Sequence, residues 1–480
     1  MDVSLIIGGK HVAAKNGQIF ERRDPVTGKV ASRAAAASID DVDLAVEAAS
    51  NTFTSWSQSG PGQRRSLLLK AAELMERKQA DFVDLMLRET GATATWAGFN
   101  VDLAAGVLRE AAAITTQITG EIIPSDKPGI LSMAVRQPAG VIVGIAPWNA
   151  PVILGTRAIA AALACGNTVI LRSSEMCPGT HQLLGSILNE AGFPPGVVNV
   201  LSNAPQDGPQ IVEALVGHPN VRRINFTGST RVGRIIAKLA AEHLKPVLLE
   251  LGGKAPFVVL DDANIDQAVD AAAFGAFMNQ GQICMSTERI IVDEKIADRF
   301  VGKLVEKATR LSAGDPRKDV VLGSLVDLSS ATQMDELIQD AVSKGAKLVA
   351  GGKRNGTIVE ATLLDRVTSD MKVYREESFG PVKPIIRVSG PDEAIKVAND
   401  TEYGLSAAVF GQDLARAMTV AKCIRSGICH INGPTVADEP QMPFGGVKSS
   451  GYGRFGGRAV IQEFTELRWI TIEGEQHYPF

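Results

Sequence analysis

The chain has 480 residues, too many for a single hydrophobic core, so we expect two or three domains. Hydrophobic residues make up 45% and charged residues 21%, the ordinary balance of a globular protein, and a formal net charge of −4 without a basic block argues against nucleic acid as a partner. The first residues lack the pattern of a signal peptide and no apolar run is long enough for a membrane span, so we expect a cytoplasmic protein without membrane contact.

Helices are expected first along the chain. Apolar residues at helical spacing predict a helix over 66–90, which Gly91 ends, and the same pattern predicts a second helix over 95–117. Two strand-like runs, 122–124 and 130–135, then flank a turn rich in Pro and Gly. That arrangement predicts a β-hairpin.

After Pro138, short apolar runs alternate with amphipathic helices. The predicted strands are 141–146, 168–172, 197–201, 222–226 and 247–251, and the predicted helices are 153–165, 179–191, 207–216 and 230–242. This alternation indicates βαβ units in a doubly wound parallel sheet, whose carboxyl-terminal strand ends are the usual place for a nucleotide. A second alternation, with strands predicted at 257–260, 289–292, 406–410 and 427–431, indicates a second α/β domain.

A candidate phosphate site follows strand 222–226. Small residues in the segment 227–233 let the backbone approach a phosphate, and the helix that begins there offers unpaired N–H groups. The alternative is a tight turn capped by Ser229 or Thr230, and the pattern alone favours neither reading. A G-x-G-x-x-G pattern at 451–456 follows a polar loop instead of a strand, so we do not interpret it as a phosphate loop.

The five cysteines are few, odd in number and without a Cys-x-x-Cys pair, which predicts a reduced chain with no zinc or other metal site. Cys284 falls where polar and small residues interrupt a helical pattern, so its thiol is a candidate nucleophile on a loop or helix end. The alternative is a buried, inert thiol, which suits Cys165, Cys423 and Cys429 better.

Polar residues in apolar surroundings provide the other candidates. Glu250 ends an apolar strand, where burial would raise its pKa towards that of a general base, unless it forms a buried salt bridge with Lys254. Asn149 could donate to an oxyanion or cap a helix. Arg157 is the one charge in an apolar helix, and we first place it on the solvent-facing side. Glu175 could accept hydrogen bonds from ribose hydroxyls or be a solvated loop acid.

Together these residues identify a resemblance to the aldehyde dehydrogenase family. Six segments within residues 147–446 match motifs of the family, and they occur in the same order as in the family. The probability that all six match by chance is very small. They are Pro147-Trp148-Asn149, Phe226-Thr227-Gly228-Ser229, Glu250-Leu251-Gly252-Gly253-Lys254, Gly281-Gln282-Ile283-Cys284, Glu377-Ser378-Phe379-Gly380-Pro381-Val382 and Pro443-Phe444-Gly445-Gly446.

The resemblance implies an α/β fold of three parts. A doubly wound, Rossmann-like cofactor domain would take 1–118 and 139–251, and a second α/β catalytic domain would take 252–457. A small β arm for oligomerisation would comprise 119–138 and 458–480. A homodimer or homotetramer is expected on the same ground.

The resemblance also implies the chemistry. Cys284 would be the nucleophile, Asn149 and the Cys284 backbone N–H the oxyanion hole, and Glu250 the base that activates the deacylating water. An aldehyde would be oxidised to a carboxylate through a thiohemiacetal and a thioester.

NAD is the cofactor that the resemblance implies. Glu377 would hold the nicotinamide ribose with Phe379 beside the ring, Ser229 would bind the pyrophosphate, and Glu175 the adenosine ribose. The other implied cofactor-binding residues are Trp148, Arg172, Ser174, Gly228, Gly233 and Leu251. The family usually has Lys-Pro-x-Glu where this chain has Arg172-Ser173-Ser174-Glu175. Arg172 could tolerate a 2′-phosphate, whereas Glu175 favours NAD⁺.

The substrate pocket departs from the family pattern. Ala150 stands where a Phe is common, and Arg157 stands where many relatives have an aromatic residue, which revives a functional reading for Arg157. Trp96 and Phe99 lie on the helix that lines the family's substrate tunnel. Such a pocket suits a phenolic aromatic aldehyde, and the chain most resembles the bacterial salicylaldehyde dehydrogenases of aromatic-compound breakdown.

Other functions remain open at this point. Vanillin or benzaldehyde dehydrogenase is the near alternative, and a broad aliphatic semialdehyde dehydrogenase is another. A CoA-acylating dehydrogenase is disfavoured because Glu250 serves hydrolysis, which CoA transfer does not need. A structural or binding protein that keeps the fold without turnover is disfavoured by the intact Cys284, Glu250 and Asn149.

Overall fold

A computed structural model describes residues 1–475 and 477–480. Two large sheets, each covered by helices, account for most of the core, and three small sheets complete the fold. Among the described residues, no helix is both long and apolar enough to cross a membrane.

The first large sheet holds the predicted nucleotide-binding strands. Its parallel centre runs, from one side to the other, through Val247–Glu250, Val221–Thr227, Val141–Ile145, Thr168–Arg172 and Val198–Leu201. Antiparallel strands extend both edges, with Gly451–Tyr452 on one side and Leu5–Ile7 and Lys10–Val12 on the other. Central strands such as Val141–Ile145 are buried throughout, because helices cover both faces of the sheet.

The helices around this sheet follow the predicted alternation. They are Ile39–Ser57, Pro61–Arg77, Gln79–Thr90, Ala94–Ile114, Pro151–Ala164, Pro178–Ala191, Gly208–Gly217 and Thr230–Glu242. The helix predicted over 66–90 is two helices, because the chain leaves helical geometry at Lys78. The two apolar patterns run into each other across that one residue, so periodicity alone did not separate them.

The second large sheet includes the strand that follows Cys284 in the chain. Its strands lie in the order Lys347–Ala350, Thr362–Asp365, Val382–Val388, Thr287–Asp293, Ala255–Val259, Ala408–Phe410 and His430–Ile431. All neighbours are parallel except the first pair. The associated helices are Ile265–Phe277, Glu294–Thr309, Leu328–Ser343, Lys372–Arg375, Gly390–Asn399 and Leu414–Cys423.

A three-stranded antiparallel sheet joins the predicted hairpin to the end of the chain. Glu121–Ile123 pairs with Leu131–Pro138, which pairs in turn with Thr465–Ile472. These segments lie within the predicted arm 119–138 and 458–480, of which Gln476 lies outside the described residues. Several large apolar side chains of this sheet are exposed, including Ile122 at 76% and Trp469 at 75%.

Two small sheets, one near the N-terminus and one at residues 354–359, were not predicted from the sequence. Asp2–Val3, Ile19–Arg23 and Val30–Ala35 form one small sheet, and Arg354–Asn355 pairs with Ile358–Val359 in another. Strands of two to six residues carry too few positions for a clear alternation of apolar and polar side chains.

Candidate active site

Cys284 lies after an unusual stretch of backbone. Helix Ile265–Phe277 ends, and Asn279, Gln280 and Gly281 all have positive φ angles of 48°, 55° and 74°. Gly281 is required there, because a Cβ would collide with the carbonyl oxygen of Gly380. Left-handed backbone at two non-glycine residues is strained, and such strain clusters at functional sites. The distortion presents Cys284 to a cavity of about 300 Å³.

Glu250 faces the same cavity from the carboxyl end of strand Val247–Glu250. Its side chain is buried, and neither carboxylate oxygen has a well-formed hydrogen bond within the described residues. Burial raises the pKa of Glu250 to about 8, although the nearby Cys284 thiol and the charge of Arg157 partly offset that effect. The group is therefore poised to bind and release a proton near neutral pH.

The thiol of Cys284 is desolvated although part of its surface is accessible. That surface opens onto the cavity instead of bulk water, which accounts for both observations. Burial and the neighbouring Glu250 carboxylate raise the pKa of Cys284 well above its ordinary value. The thiol is consequently protonated until a base takes its proton, and Glu250 is the candidate base beside it.

Asn149 is held rigidly beside the nucleophile. Its side-chain Nδ2 donates to the carbonyl oxygen of Gln282 at 2.9 Å. Its backbone carbonyl accepts from Trp96 Nε1 at 3.0 Å and from Asn279 Nδ2 at 3.1 Å. Asn149 and Cys284 line the same cavity, and the cap of the following helix is Ala150 instead of Asn149. The amide is thus placed for a role at the carbonyl of a substrate.

A groove of about 800 Å³ adjoins the catalytic cavity at the carboxyl ends of the first sheet. The groove and the cavity share Pro147, Trp148, Thr227 and Gly228 as lining residues. Of the predicted cofactor residues, those lining the groove are Trp148, Arg172, Ser174, Glu175 and Gly228, and those lining the cavity are Trp148, Gly228, Ser229, Glu377 and Phe379. The predicted residues thus form one continuous path from the groove to Cys284.

Gly233 and Leu251 lie behind this path instead of lining it. A Cβ at Gly233 would collide with the Leu251 side chain, so the glycine lets helix Thr230–Glu242 pack tightly on the strand end. Ser229 is the N-cap of that helix and accepts from the backbone N–H of Val232 at 3.4 Å. The turn is therefore capped by Ser229, and its Gly228 lines the groove, so a phosphate site at this turn stays a prediction.

The groove has the features that a dinucleotide requires. The N-terminal turn of helix Thr230–Glu242 lines the groove with Arg231 and Val232, and the groove continues into the cavity at Cys284. At its far end, Arg172 donates to Glu175 at 3.2 Å and to Asn203 at 2.9 Å, so the Arg172 charge is partly satisfied within the protein.

Glu377 and Phe379 lie at the junction of the groove and the cavity. Glu377 accepts from the backbone N–H of Gly253 at 2.9 Å. Burial raises the pKa of Glu377 to about 7. Phe379 has a positive φ of 47° and packs edge-on against Trp148, with ring centroids 5.7 Å apart. The segment therefore depends on tertiary contacts for its conformation.

The four predicted substrate residues, Trp96, Phe99, Ala150 and Arg157, do not line the cavity that Cys284 faces. Trp96 is buried and stacks on Phe99 at 5.5 Å, while Phe99 is 41% exposed. Ala150 is buried. Leu154 lines the cavity, and Arg157 lies one helical turn further on the same helix face.

Two expectations from the sequence were wrong. Arg157 does not face solvent: it forms a buried ion pair with Asp438 at 2.7 Å, and its guanidinium lies 4.6 Å from the Phe444 ring centroid. Lys254 does not pair with Glu250 but with Glu288, at 2.8 Å. In both cases the partner, Asp438 or Glu288, is distant in the sequence, so no local pattern predicted the ion pair.

The cysteine prediction holds only in part. Cys165 is buried, and burial raises its thiol pKa to about 12, so it is the inert thiol expected. Cys423 and Cys429 are exposed instead of buried, which corrects the sequence reading. Across residues 1–475 and 477–480, no group of three or more His, Cys, Asp or Glu side chains is placed to hold a metal ion.

Three residues at or near the site were missed from the sequence. Gln333 lines the catalytic cavity from helix Leu328–Ser343. Asp438 neutralises Arg157, and Glu288 joins Lys254 to Lys383. Glu288 offered a usable signal, because two charged residues, Glu288 and Arg289, directly precede the apolar run 290–292 in one buried strand.

Comparison with known proteins agrees with this geometry. The chain matches the aldehyde dehydrogenase family over residues 11–470. It is 60% identical to a vanillin dehydrogenase of Pseudomonas fluorescens, with 100% of both chains covered. It is 38% identical to a benzaldehyde dehydrogenase [NAD(+)] of Pseudomonas putida, with 95% of this chain and 94% of the relative covered.

The fold also matches a solved relative. The crystal structure of a salicylaldehyde dehydrogenase from Pseudomonas putida G7 complexed with salicylaldehyde superposes with a TM-score of 0.98, at 53% identity and with 100% of both chains covered. The α/β fold and the enzyme class expected from the sequence are confirmed. The chain belongs to the aldehyde dehydrogenase family, whose members use NAD or NADP.

Proposed function

We propose that this enzyme oxidises an aromatic aldehyde to its carboxylate with NAD⁺, through a thioester on Cys284. The observation that carries the proposal is one enclosed cavity lined by Cys284, Glu250 and Asn149, continuous with a dinucleotide-sized groove. A nucleophile, a base and an oxyanion donor within one cavity form the set that acyl chemistry requires.

The first step uses Cys284 and Asn149. Glu250 takes the thiol proton, the sulfur bonds to the aldehyde carbon, and the carbonyl oxygen gains the negative charge. The Asn149 amide and the Cys284 backbone N–H stabilise that oxygen. Because Asn149 is already fixed by Trp96 and Asn279, little reorganisation is needed when the charge develops.

Glu377 and Phe379 would hold the nicotinamide end of the cofactor, and Ser229 with Gly228 the pyrophosphate. When bound, the cofactor supplies a hydride acceptor for the carbon attached to Cys284, which leaves a thioester. Glu250 releases the thiol proton to solvent, and its carboxylate then takes a proton from water as the water oxygen bonds to the thioester carbon. The bond between that carbon and the sulfur breaks, Glu250 returns its proton to the Cys284 sulfur, and the acid leaves as a carboxylate after losing its own proton to solvent. A base with a pKa near 8 suits that proton transfer.

The preference for NAD⁺ rests on Glu175. A carboxylate at the groove end would repel a 2′-phosphate, and it also occupies Arg172, the cation that a phosphate would need. The relative named for NAD(+) use is consistent with this proposal.

An aromatic substrate is supported by the relatives, which are named for vanillin, salicylaldehyde and benzaldehyde. Trp96 stacks on Phe99 and donates to the backbone carbonyl of Asn149, so this aromatic pair lies near the site where a substrate ring would bind. Identity is higher to the vanillin relative, at 60%, than to the salicylaldehyde relative, at 53%. Salicylaldehyde stays a prediction, and vanillin is the first substrate to compare with it.

The predicted arm supports assembly as a homodimer or homotetramer. Ile122 and Trp469 are large, apolar and mostly exposed on one small sheet, as expected of a surface that another subunit covers.

The test is NADH formation at 340 nm with NAD⁺ and a panel of vanillin, salicylaldehyde, benzaldehyde and a short aliphatic aldehyde, with and without CoA. Cys284→Ala serves as the matched control. Aromatic turnover that is lost in the control and independent of CoA supports the proposal. Faster turnover of the aliphatic aldehyde would remove the aromatic assignment, and a CoA requirement would replace hydrolysis by acyl transfer.

A further inference from the structure

A buried carboxylate behind the active site accepts four hydrogen bonds. Glu288 Oε1 accepts from Lys383 Nζ and from Ser378 Oγ, both at 2.7 Å. Glu288 Oε2 accepts from Lys254 Nζ and from the backbone N–H of Ser378, both at 2.8 Å. The three charged side chains are almost completely inaccessible to solvent. We name Lys254, Glu288 and Lys383 the buried charge cluster.

The cluster joins the three segments that carry the site. Glu288 follows the Cys284 loop at the start of strand Thr287–Asp293, and Lys254 follows the strand that ends in Glu250. Ser378 lies between Glu377 and Phe379, so its two bonds to Glu288 hold the residues on either side. Glu377 is also tied to Gly253, the neighbour of Lys254.

The cluster has an excess of positive charge, with two ammonium groups for one carboxylate. Burial opposes ionisation of Glu288, but the two lysines overcome it and hold the Glu288 pKa well below its ordinary value. Replacing buried ions by apolar residues often leaves stability unchanged or improves it, so stability alone is a weak reason for this arrangement.

Glu377 is the carboxylate on which the excess charge acts. The groups that influence or surround it are Lys254, Lys383, Glu288, Glu250, Cys284 and Tyr403. Burial and Glu288 raise the pKa of Glu377, while the Gly253 N–H and the two lysines lower it.

We propose that the buried charge cluster is a positioning centre, which aligns Glu377 and Phe379 for the nicotinamide ribose and keeps Glu377 ionised to accept its hydroxyls. The inference rests on the proposed function, in that the groove binds a nicotinamide dinucleotide. Glu288 acts through Ser378 and Glu377 and does not itself touch the substrate.

The experiment compares variants that change the cluster charge in opposite directions. Glu288→Gln removes a negative charge and Lys383→Met removes a positive charge. The dissociation constant of NAD⁺ is measured without aldehyde, by quenching of tryptophan fluorescence, between pH 5.5 and 9. Both variants should bind NAD⁺ about tenfold more weakly at pH 8, because each loses charge-assisted hydrogen bonds that hold Ser378 or Glu288.

The pH dependence separates positioning from simple structural damage. In the wild type, NAD⁺ binding should weaken as pH falls below about 7, as Glu377 becomes protonated. That loss should move to lower pH in Glu288→Gln and to higher pH in Lys383→Met. The double variant keeps the net charge of the wild type, so its loss should return to the wild-type pH while binding stays weak.

Two controls accompany these variants. Asp365→Asn weakens a charge pair with Arg387 in the same sheet without touching the cluster, and it should leave NAD⁺ binding and its pH dependence unchanged. Ser378→Ala removes the hydroxyl that bonds to Glu288, Gly380 and Lys383 without changing charge, so it should weaken NAD⁺ binding without a pH shift. If Glu288→Gln does not fold, NAD⁺ binding by Ser378→Ala still tests whether the bond between Ser378 and Glu288 positions the site.

The outcomes are distinct from those of the proposed function. Wild-type protein that fails to bind NAD⁺ overturns the proposed function and this inference together. Wild-type binding with unchanged affinity in the variants, or with pH shifts in the same direction, overturns the inference alone.

Discussion

Arg157 and Asp438 form an ion pair of 2.7 Å although 281 residues separate them and both side chains are buried. The Arg157 guanidinium also packs on the Phe444 ring, so the pair ties helix Pro151–Ala164 to the loop before Phe444. Both charges influence the pKa of Glu250, Arg157 lowering it and Asp438 raising it. The predicted substrate cation is therefore already partnered inside the protein.

Breaking this pair should be costly. Arg157→Ala leaves the Asp438 carboxylate buried without a counter-ion, and we expect it to lower the free energy of unfolding by about 3–5 kcal/mol. The double variant Arg157→Met/Asp438→Leu should recover much of that loss. Urea unfolding of the single and double variants measures both effects, and equal losses in the two would show that the ion pair itself stabilises the fold.

Arg157 should also influence substrate choice. Because it lies one turn beyond Leu154 in the pocket wall, Arg157→Ala should raise KM for hydroxybenzaldehydes more than for aliphatic aldehydes. Steady-state kinetics with salicylaldehyde, vanillin and a short aliphatic aldehyde checks this. An equal rise for all three substrates would remove Arg157 from substrate selection and leave it a structural role.

Removing the base should separate the two halves of the reaction. Glu250→Gln should still form one equivalent of NADH per site, in a slower burst because Glu250 also takes the thiol proton, and should lose steady-state turnover by about 10²–10⁴-fold, since base catalysis of deacylation is typically worth that much. Rapid-mixing absorbance at 340 nm measures the burst. Cys284→Ala is the control and should show no burst, while full turnover by Glu250→Gln would contradict the assigned role.

The raised pKa of Glu250 predicts a pH effect on stability. Its pKa is 4.5 in its ordinary state and about 8 in the folded protein, so the protonated form is the one that folding favours. The contribution of Glu250 to the free energy of unfolding is fully present below pH 4.5 and is lost as pH rises through about 8. Glu250→Gln carries no such loss.

The Tm of Glu250→Gln, relative to that of the wild type, should therefore be higher at pH 8.5 than at pH 5. Differential scanning calorimetry at the two pH values measures the difference, and Glu213→Gln on the rim of the groove is a matched control. A constant difference in Tm at both pH values would show that the Glu250 pKa is not raised.

Cofactor choice should depend on Glu175. Glu175→Ala removes the charge that repels a 2′-phosphate and frees Arg172 to bind it, so kcat/KM for NADP⁺ should rise at least about tenfold relative to NAD⁺. Kinetics with both cofactors checks this. Arg172→Ala combined with Glu175→Ala should abolish the gain. Comparable use of both cofactors by the wild type would refute the preference itself.

The exposed apolar face of the arm should determine assembly. Ile122→Asp places a charge on a side chain that is 76% exposed in this sheet, so it should shift the protein towards monomer in sedimentation experiments. Leu244→Asp is the matched control, because Leu244 is 92% exposed but lies after helix Thr230–Glu242. Dissociation by both variants, or by neither, would contradict an interface at the arm.

Much of the fold was predictable because its signal is local. Apolar runs such as 141–146 and 168–172 are strands within a residue or so of their predicted limits, since a fully buried parallel strand needs a continuous apolar run. Glu250 and Cys284 stood out for a related reason, as polar or reactive groups placed where apolar residues surround them. The short N-terminal strands and the break at Lys78 left no comparable pattern.

The sequence by itself determined the alternation of strands and helices and the family, and it predicted Cys284, Glu250 and Asn149 as site residues, because each depends on residue types at fixed local spacing. Only the tertiary structure decided which groups meet. Lys254 pairs with Glu288, and Arg157 pairs with Asp438, because sheet packing brings distant segments together. A buried charge takes whichever opposite charge packing brings within reach, and spacing along the chain does not encode that distance.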